Sequence, residues 1–262
     1  IIAKKSLGQN FLIDSNVIGK LINSIDINRK NVLEIGPGSG NLTVEILKNN
    51  PKNLILIEKD KHLSNFLKEK FNHDKRVEVY NADILSLNVE KFFKKNTIVF
   101  GNLPYNISSQ ILVKLIKLKK WPPKYDYLVL MFQKEVAERI NAKYNTKKYG
   151  RISVISQLRL EILKHFSVSR NCFFPKPKIE SSVLVFKPIR KPIINIKNIE
   201  DLEKITQVFF SNRRKMINKA MNKLFGKNET VSKSLKLDLN NRPAEIKKEL
   251  YYKIAKYLDT SN

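Results

Sequence analysis

A short apolar run, Asn31-Val32-Leu33-Glu34-Ile35, breaks into Gly36-Pro37-Gly38-Ser39-Gly40 and then into helical spacing over 41–48. A strand, a glycine-rich turn and a helix in that order open a βαβ unit of the nucleotide-binding kind, which restricts the fold sharply. Glycines in such a turn let the backbone approach a ligand closely. The spacing is G-x-G-x-G rather than G-x-G-x-x-G, so a pyrophosphate cradle is not the favoured reading. No Gly-Lys-Ser/Thr follows, so the P-loop pattern is absent. Taken alone, the segment also reads as a plain tight turn.

Three more strands follow in the sequence, and each ends on a polar residue. Asn53–Ile57 is followed by Glu58, 22 residues after Gly36. An acidic side chain at about that distance accepts hydrogen bonds from ribose hydroxyls; Glu58 reads equally as a charge at a helix start. Arg76–Tyr80 runs into Asn81-Ala82-Asp83-Ile84. Asp83 is placed to accept the N6 hydrogens of a cofactor's adenine, or is a turn residue. Thr97-Ile98-Val99-Phe100 runs into Gly101-Asn102-Leu103-Pro104-Tyr105-Asn106. Asn102 brings an amide oxygen and an NH2, Leu103 a backbone carbonyl, and Tyr105 a flat face, while Pro104 stiffens the turn. That set suits a planar amine such as a nucleobase edge; the plainer alternative is a capping Asn and a core Tyr. Ligands of open α/β sheets bind outside the carboxyl ends of the strands. One crevice is therefore expected to collect the glycine turn, Glu58, Asp83 and Asn102.

Elsewhere, Asp14 is the expected N-cap of a helix carrying Val17, Ile18, Leu21, Ile22 and Ile25, and Ser108 or Ser109 that of a helix carrying Ile111, Leu112, Leu115 and Ile116. Residues 126–133 read as a fifth strand, 134–142 as a helix, 152–160 and 161–166 as continuing the sheet and its packing, and 182–186 as a last strand. The loop 143–151 interleaves Lys and Arg with Tyr144 and Tyr149, a mix that suits phosphates and stacked bases as well as a solvated surface. In Cys172-Phe173-Phe174-Pro175-Lys176-Pro177-Lys178 the prolines hold the chain extended. Phe173 then reads as the second plate of a base sandwich, or as a core aromatic. After a linker over 187–197 only helical patterns follow. The expected organisation is an α/β domain over 1–190 and a small, basic, all-helical domain over 191–262.

The chain carries 50 Lys and Arg against 24 Asp and Glu, a formal charge of +26. Such an imbalance points to a polyanion, with nucleic acid ahead of membrane. Lys4 and Lys5 read as solvated charges or as a basic arm. Cys172 is the lone cysteine, so no intrachain disulfide is available. His62, His73 and His165 lack ligand spacing, so no metal is expected. The apolar runs are too short to cross a bilayer. No signal-peptide pattern is present; with no initiator Met, a transit peptide upstream stays open.

Several segments together resemble one family. They are Gly8-Gln9-Asn10-Phe11-Leu12, Glu34-Ile35-Gly36-Pro37-Gly38, Gly101-Asn102-Leu103-Pro104-Tyr105-Asn106-Ile107-Ser108, Gln133-Lys134-Glu135-Val136-Ala137, Tyr149-Gly150-Arg151, Phe173-Phe174-Pro175-Lys176-Pro177-Lys178 and Asn212-Arg213-Arg214-Lys215. With these the chain resembles the ribosomal RNA small-subunit adenine dimethyltransferases, most strongly the bacterial branch. The resemblance implies a Rossmann-like class I methyltransferase fold with a helical C-terminal domain, and S-adenosylmethionine as methyl donor. Asn10, Leu12, Gly36, Gly38, Glu58, Asp83 and Asn102 map onto the cofactor contacts. Asn102, Leu103, Pro104, Tyr105 and Phe173 map onto the catalytic and base-holding positions. Lys59 after Glu58 and Phe174 after Phe173 are mild departures.

The implied substrate is a pair of adjacent adenosines in a hairpin loop near the 3′ end of small-subunit rRNA, each receiving two methyl groups on N6. The resemblance also implies a role in small-subunit biogenesis. A cytoplasmic monomer acting on immature small subunits is expected, with an organelle as the alternative compartment. Rival readings are a binding factor for subunit assembly, a large-subunit rRNA methyltransferase of the antibiotic-resistance type and, more distantly, a nicotinamide oxidoreductase.

Overall fold

The structure, a computed structural model, describes residues 8–196, 198–226 and 230–261. Lys4 and Lys5 lie outside them. Strands β1 (Phe11–Leu12), β2 (Asn31–Ile35), β3 (Asn53–Glu58), β4 (Val77–Asn81), β5 (Thr97–Asn102), β6 (Tyr125–Gln133), β7 (Leu160–Val168), β8 (Phe173–Phe174) and β9 (Ser181–Pro188) alternate with helices α1 (Ser15–Ile22), α2 (Asn41–Lys48), α3 (Lys61–Lys70), α4 (Ser108–Ile116), α5 (Lys134–Ile140) and α6 (Arg151–Arg159). Helices α7 (Ile199–Ser211), α8 (Asn218–Phe225), α9 (Thr230–Ser234) and α10 (Lys248–Ser261) follow. Asp14 caps α1 as expected, accepting from the Val17 N–H at 2.9 Å.

Seven strands form one sheet in the order β4-β3-β2-β5-β6-β9-β7. The pairs β3–β4, β2–β3, β2–β5 and β5–β6 are parallel, and β6–β9 is antiparallel. The fold is a Rossmann-like α/β fold. From β2 the chain steps outward through β3 and β4, then returns to the other side of β2 with β5. The tips of β2 and β5 therefore flank the switch point, where such sheets bind ligands. The central strands are buried on both faces, which explains their near-continuous apolar runs. Val32, Leu54, Leu56, Ile98, Phe100, Val129, Val183 and Val185 share one core cluster with Ile18, Ile22, Ile46 and Leu67 of α1, α2 and α3. The alternate residues Leu33, Ile55, Val99 and Leu128 are buried too.

Two compact units divide the described residues. Those up to 137 and 161–188 form one, and 138–160 with those from 189 onward form the other. The expected boundary at 190 assigned 138–160 to the α/β part; the second unit takes this segment instead. The reason is local packing: the Tyr252 hydroxyl donates to the Val154 carbonyl at 2.8 Å, and Lys248 donates to Gln157 at 3.2 Å. Residues 152–160, expected to continue the sheet, are largely the helix α6. Its Ser153, Val154, Ile155, Ser156, Leu158 and Arg159 are all buried. A helix buried nearly all round shows no one-sided stripe, so periodicity alone does not identify it. Phe210 stacks on Tyr251 at 5.7 Å within the same unit.

No described helix is long and apolar enough to cross a membrane.

Candidate active site

The first unit carries a hollow at the carboxyl ends of β2, β3, β4 and β5. Asn10, Leu12, Gly36, Gly38, Glu58, Asp83, Asn102, Leu103, Pro104 and Tyr105 all line it. Ten residues singled out from the sequence thus meet in one crevice. Strand order alone accounts for most of this, since parallel neighbours end side by side.

Each polar member is held by a definite contact. Asn102 Nδ2 donates to the Asn10 carbonyl at 2.9 Å. That bond orients the amide, so Oδ1 is the atom left to accept; among the described residues it has no partner. Glu58 is 6% exposed, yet its Oε2 accepts from the Gly38 N–H at 3.1 Å and its Oε1 from the Asp60 N–H at 2.8 Å. Burial raises its pKa above the usual carboxylate value, against backbone hydrogen bonds from Asp60, Gly38 and Lys59. An ionised carboxylate oxygen has about two acceptor sites. With about four acceptor sites on the carboxylate, Glu58 keeps capacity for a further donor such as a ribose hydroxyl. Asp83 Oδ1 accepts from the Leu85 N–H at 2.9 Å, and its Oδ2 lies 2.8 Å from Lys59 Nζ. Lys59 holds the Asp83 carboxyl below its ordinary pKa. Asp83 thus sits in a turn, as one reading had it, and its carboxyl also lines the hollow. Tyr105 shares a 2.5 Å hydroxyl–hydroxyl bond with Ser181 at the start of β9, and burial raises its pKa.

The glycine turn shapes the floor. Gly36 and Gly38 have φ of +67° and +58°. A Cβ on Gly38 would lie 2.8 Å from the Phe11 ring, so only glycine lets the 8–12 segment close over the turn. The segment is tied down further by Asn41, whose Nδ2 donates to the Leu12 carbonyl at 2.8 Å. These features fit S-adenosylmethionine: acceptors for ribose hydroxyls and an exocyclic amine, and a glycine floor. The same residues show no cluster able to hold a metal among those described.

Two residues escaped the sequence reading. Glu34 lines the hollow at 2% exposure, with its Oε2 accepting from Thr43 Oγ1 at 2.7 Å. Burial pushes its pKa up to about 8, and nearby Glu58 adds to the rise. A carboxylate inside an otherwise apolar strand was the available signal. Ser181 gave none, because only the tertiary fold brings it to Tyr105. The reading of Phe173 as an open plate is corrected: it is 2% exposed, belongs to the core cluster and does not line the hollow. Its backbone pairs with Leu12 in the β1–β8 ribbon, which turns the side chain into the core.

The strand order and the acceptor-lined crevice define a Rossmann-like methyltransferase of the S-adenosylmethionine-dependent class. The chain belongs to the family described as ribosomal RNA adenine dimethylase, whose match spans residues 2–260. It is 47% identical over 254 residues to the ribosomal RNA small subunit methyltransferase A of Pelagibacter ubique, covering 97% of this chain and 96% of that protein. The protein of the same name from Malacoplasma penetrans is 40% identical over 256 residues, covering 96% and 90%. Among solved structures, a dimethyladenosine transferase from Plasmodium falciparum superposes with a TM-score of 0.80 at 25% identity, covering 95% of this chain and 98% of that one.

Proposed function

We propose that this protein transfers methyl groups from S-adenosylmethionine to N6 of two adjacent adenosines in the 3′-end hairpin loop of small-subunit rRNA. It acts on immature small subunits, as a cytoplasmic monomer, during subunit biogenesis. The names of the curated relatives support the substrate class. The observation that carries the chemistry is the fixed orientation of the Asn102 amide, whose Oδ1 is left as an acceptor in the hollow.

An adenine N6 is a poor nucleophile because its lone pair is delocalised into the ring. Asn102 Oδ1 and the Leu103 carbonyl accept its two hydrogens and turn the lone pair out of conjugation. Pro104 stiffens the turn that presents both acceptors. Tyr105, anchored to Ser181, supplies the flat face against which the base rests. Glu58 and Asp83 hold the ribose and adenine of the cofactor, and Asn10, Leu12, Gly36 and Gly38 close around it. The cofactor supplies an electrophilic methyl group on a sulfonium. The attacking amine and the thioether left behind are both neutral, and the N6 proton passes to solvent once the methyl has moved, so positioning does most of the work and no strong general base is needed.

Labelled cofactor and small subunits lacking the marks test this directly. Wild type should dimethylate the two adjacent adenosines, and Asn102→Ala should lower the rate roughly 100-fold, the scale for losing one aligned polar group. Wild-type rates in that variant would remove Asn102 from the chemistry. Glu58→Ala separates catalysis from a pure assembly role: subunit maturation that survives loss of cofactor binding would favour the assembly factor.

A further inference from the structure

The β1–β8 ribbon distributes two adjacent phenylalanines to opposite sides. In its antiparallel register Phe11 faces Phe174, and Leu12 faces Phe173. Directly opposed residues share a face, and successive residues alternate. Leu12 and Phe173 belong to the buried cluster. Phe11 lies on the other side, where its ring abuts the Gly38 turn of the hollow. Phe174 shares that side and is 65% exposed.

The surroundings of Phe174 are basic and stiff. Lys176 and Lys178 are exposed in the same segment, between and after Pro175 and Pro177. Arg170 is exposed and donates to the Lys178 carbonyl at 3.4 Å. Glu180 is ion-paired with Lys134 at 3.1 Å, which offsets its charge. Seven residues beyond Phe174 stands Ser181, the partner of Tyr105. An uncovered aromatic ring on a proline-held strand, flanked by cations, has the make-up of a stacking platform for single-stranded nucleic acid. A backbone already paired in the ribbon also loses little conformational freedom when the ring binds.

We propose that Phe174 is an aromatic platform of the substrate site: it stacks on the rRNA base beside the target adenine while that adenine rests against Tyr105. The flanking Lys176, Lys178 and Arg170 neutralise the phosphates on either side of that base. The proposal deepens the rRNA reading above and rests on it for the identity of the RNA.

The test uses the full chain with two probes. One is small subunits lacking the marks; the other is a synthetic hairpin of the target loop carrying 2-aminopurine next to the target adenosine. Variants are Phe174→Ala, Phe174→Leu and Phe174→Trp. The expected result is a fall in kcat/KM for the subunit of about 5- to 100-fold in Phe174→Ala and Phe174→Leu, the range for losing one base–aromatic stack. Phe174→Trp should restore it, and cofactor Kd should not move in any variant. Wild type and Phe174→Trp should quench 2-aminopurine, and Phe174→Leu should not. Rates and quenching within twofold of wild type in Phe174→Ala and Phe174→Leu would overturn the platform. If wild type methylates but neither readout responds to Phe174, the platform falls and the rRNA reading stands. If quenching depends on Phe174 but no methyl transfer occurs, the platform stands and the rRNA reading falls.

Discussion

Gly38 shows how one position can meet a backbone and a packing constraint together. Its φ of +58° is costly for any residue with a Cβ, and that Cβ would also strike the Phe11 ring at 2.8 Å. Gly38→Ala is expected to lose about 1–3 kcal/mol of stability, measured by denaturant melts, together with cofactor affinity measured by titration calorimetry. Replacing Phe11 with Leu in the same chain should return only the steric share. Glu34 gives a second expectation. Its carboxyl is raised from 4.5 to about 8 in the fold by burial. Between those values the unfolded chain releases a proton that the folded chain keeps. Stability from this group is therefore full below about 4.5 and lost as pH rises toward 8. Glu34→Gln should flatten the fall of Tm between those pH values; an unchanged slope would contradict the burial argument. Glu58 and Asn102 were legible because each ends a largely apolar strand, and Asp83 because it follows the next strand in line. Glu34 was not read as part of the site, because a residue within a strand declares its surroundings only when neighbouring strands are in place.

The paired ribbon of β1 and β8 decides which of two identical side chains packs and which is presented. Phe173 is 2% exposed and Phe174 is 65% exposed. Phe173→Ala should therefore cost about 3–5 kcal/mol, the usual range for emptying a buried phenylalanine site. Phe174→Ala should leave the melting temperature within about 2 °C, since surface changes stay within roughly 0.5 kcal/mol. Thermal melts of both variants check this, and equal losses would refute the assigned register. The sheet strands and α1 to α4 were readable from apolar runs, caps and one-sided stripes. The helix α6 was not, because its residues are buried in nearly every direction.

A formal charge of +26 sets the behaviour of the whole molecule. Binding of rRNA is expected to release counterions from several phosphates, so affinity should fall at least about tenfold between 50 and 200 mM salt. Filter binding or fluorescence anisotropy across that range checks it, and a flat response would argue against a phosphate-led encounter. In the second unit, Lys247 lies over the exposed Tyr144 ring at 5.4 Å, and Arg213 donates to the Thr146 carbonyl at 3.1 Å. Tyr149 of the same basic loop is buried at 1% exposure. Tyr144 therefore presents its ring, and of the two tyrosines it is the one available for the stacking expected from composition.

What the amino acids alone determined was the order of strands β2 to β6 with the helices between them, the glycine turn, and the polar residues at successive strand ends. These follow from local rules: period-two and period-3.6 patterning, turn chemistry, and the habit of parallel sheets to bind at their carboxyl edge. Only the tertiary structure decided which phenylalanine enters the core, that 138–160 joins the second unit, and how the Asn102 amide is turned by the Asn10 carbonyl. Each of those depends on a contact between residues far apart in the chain, and no local pattern specifies the partner across such a distance.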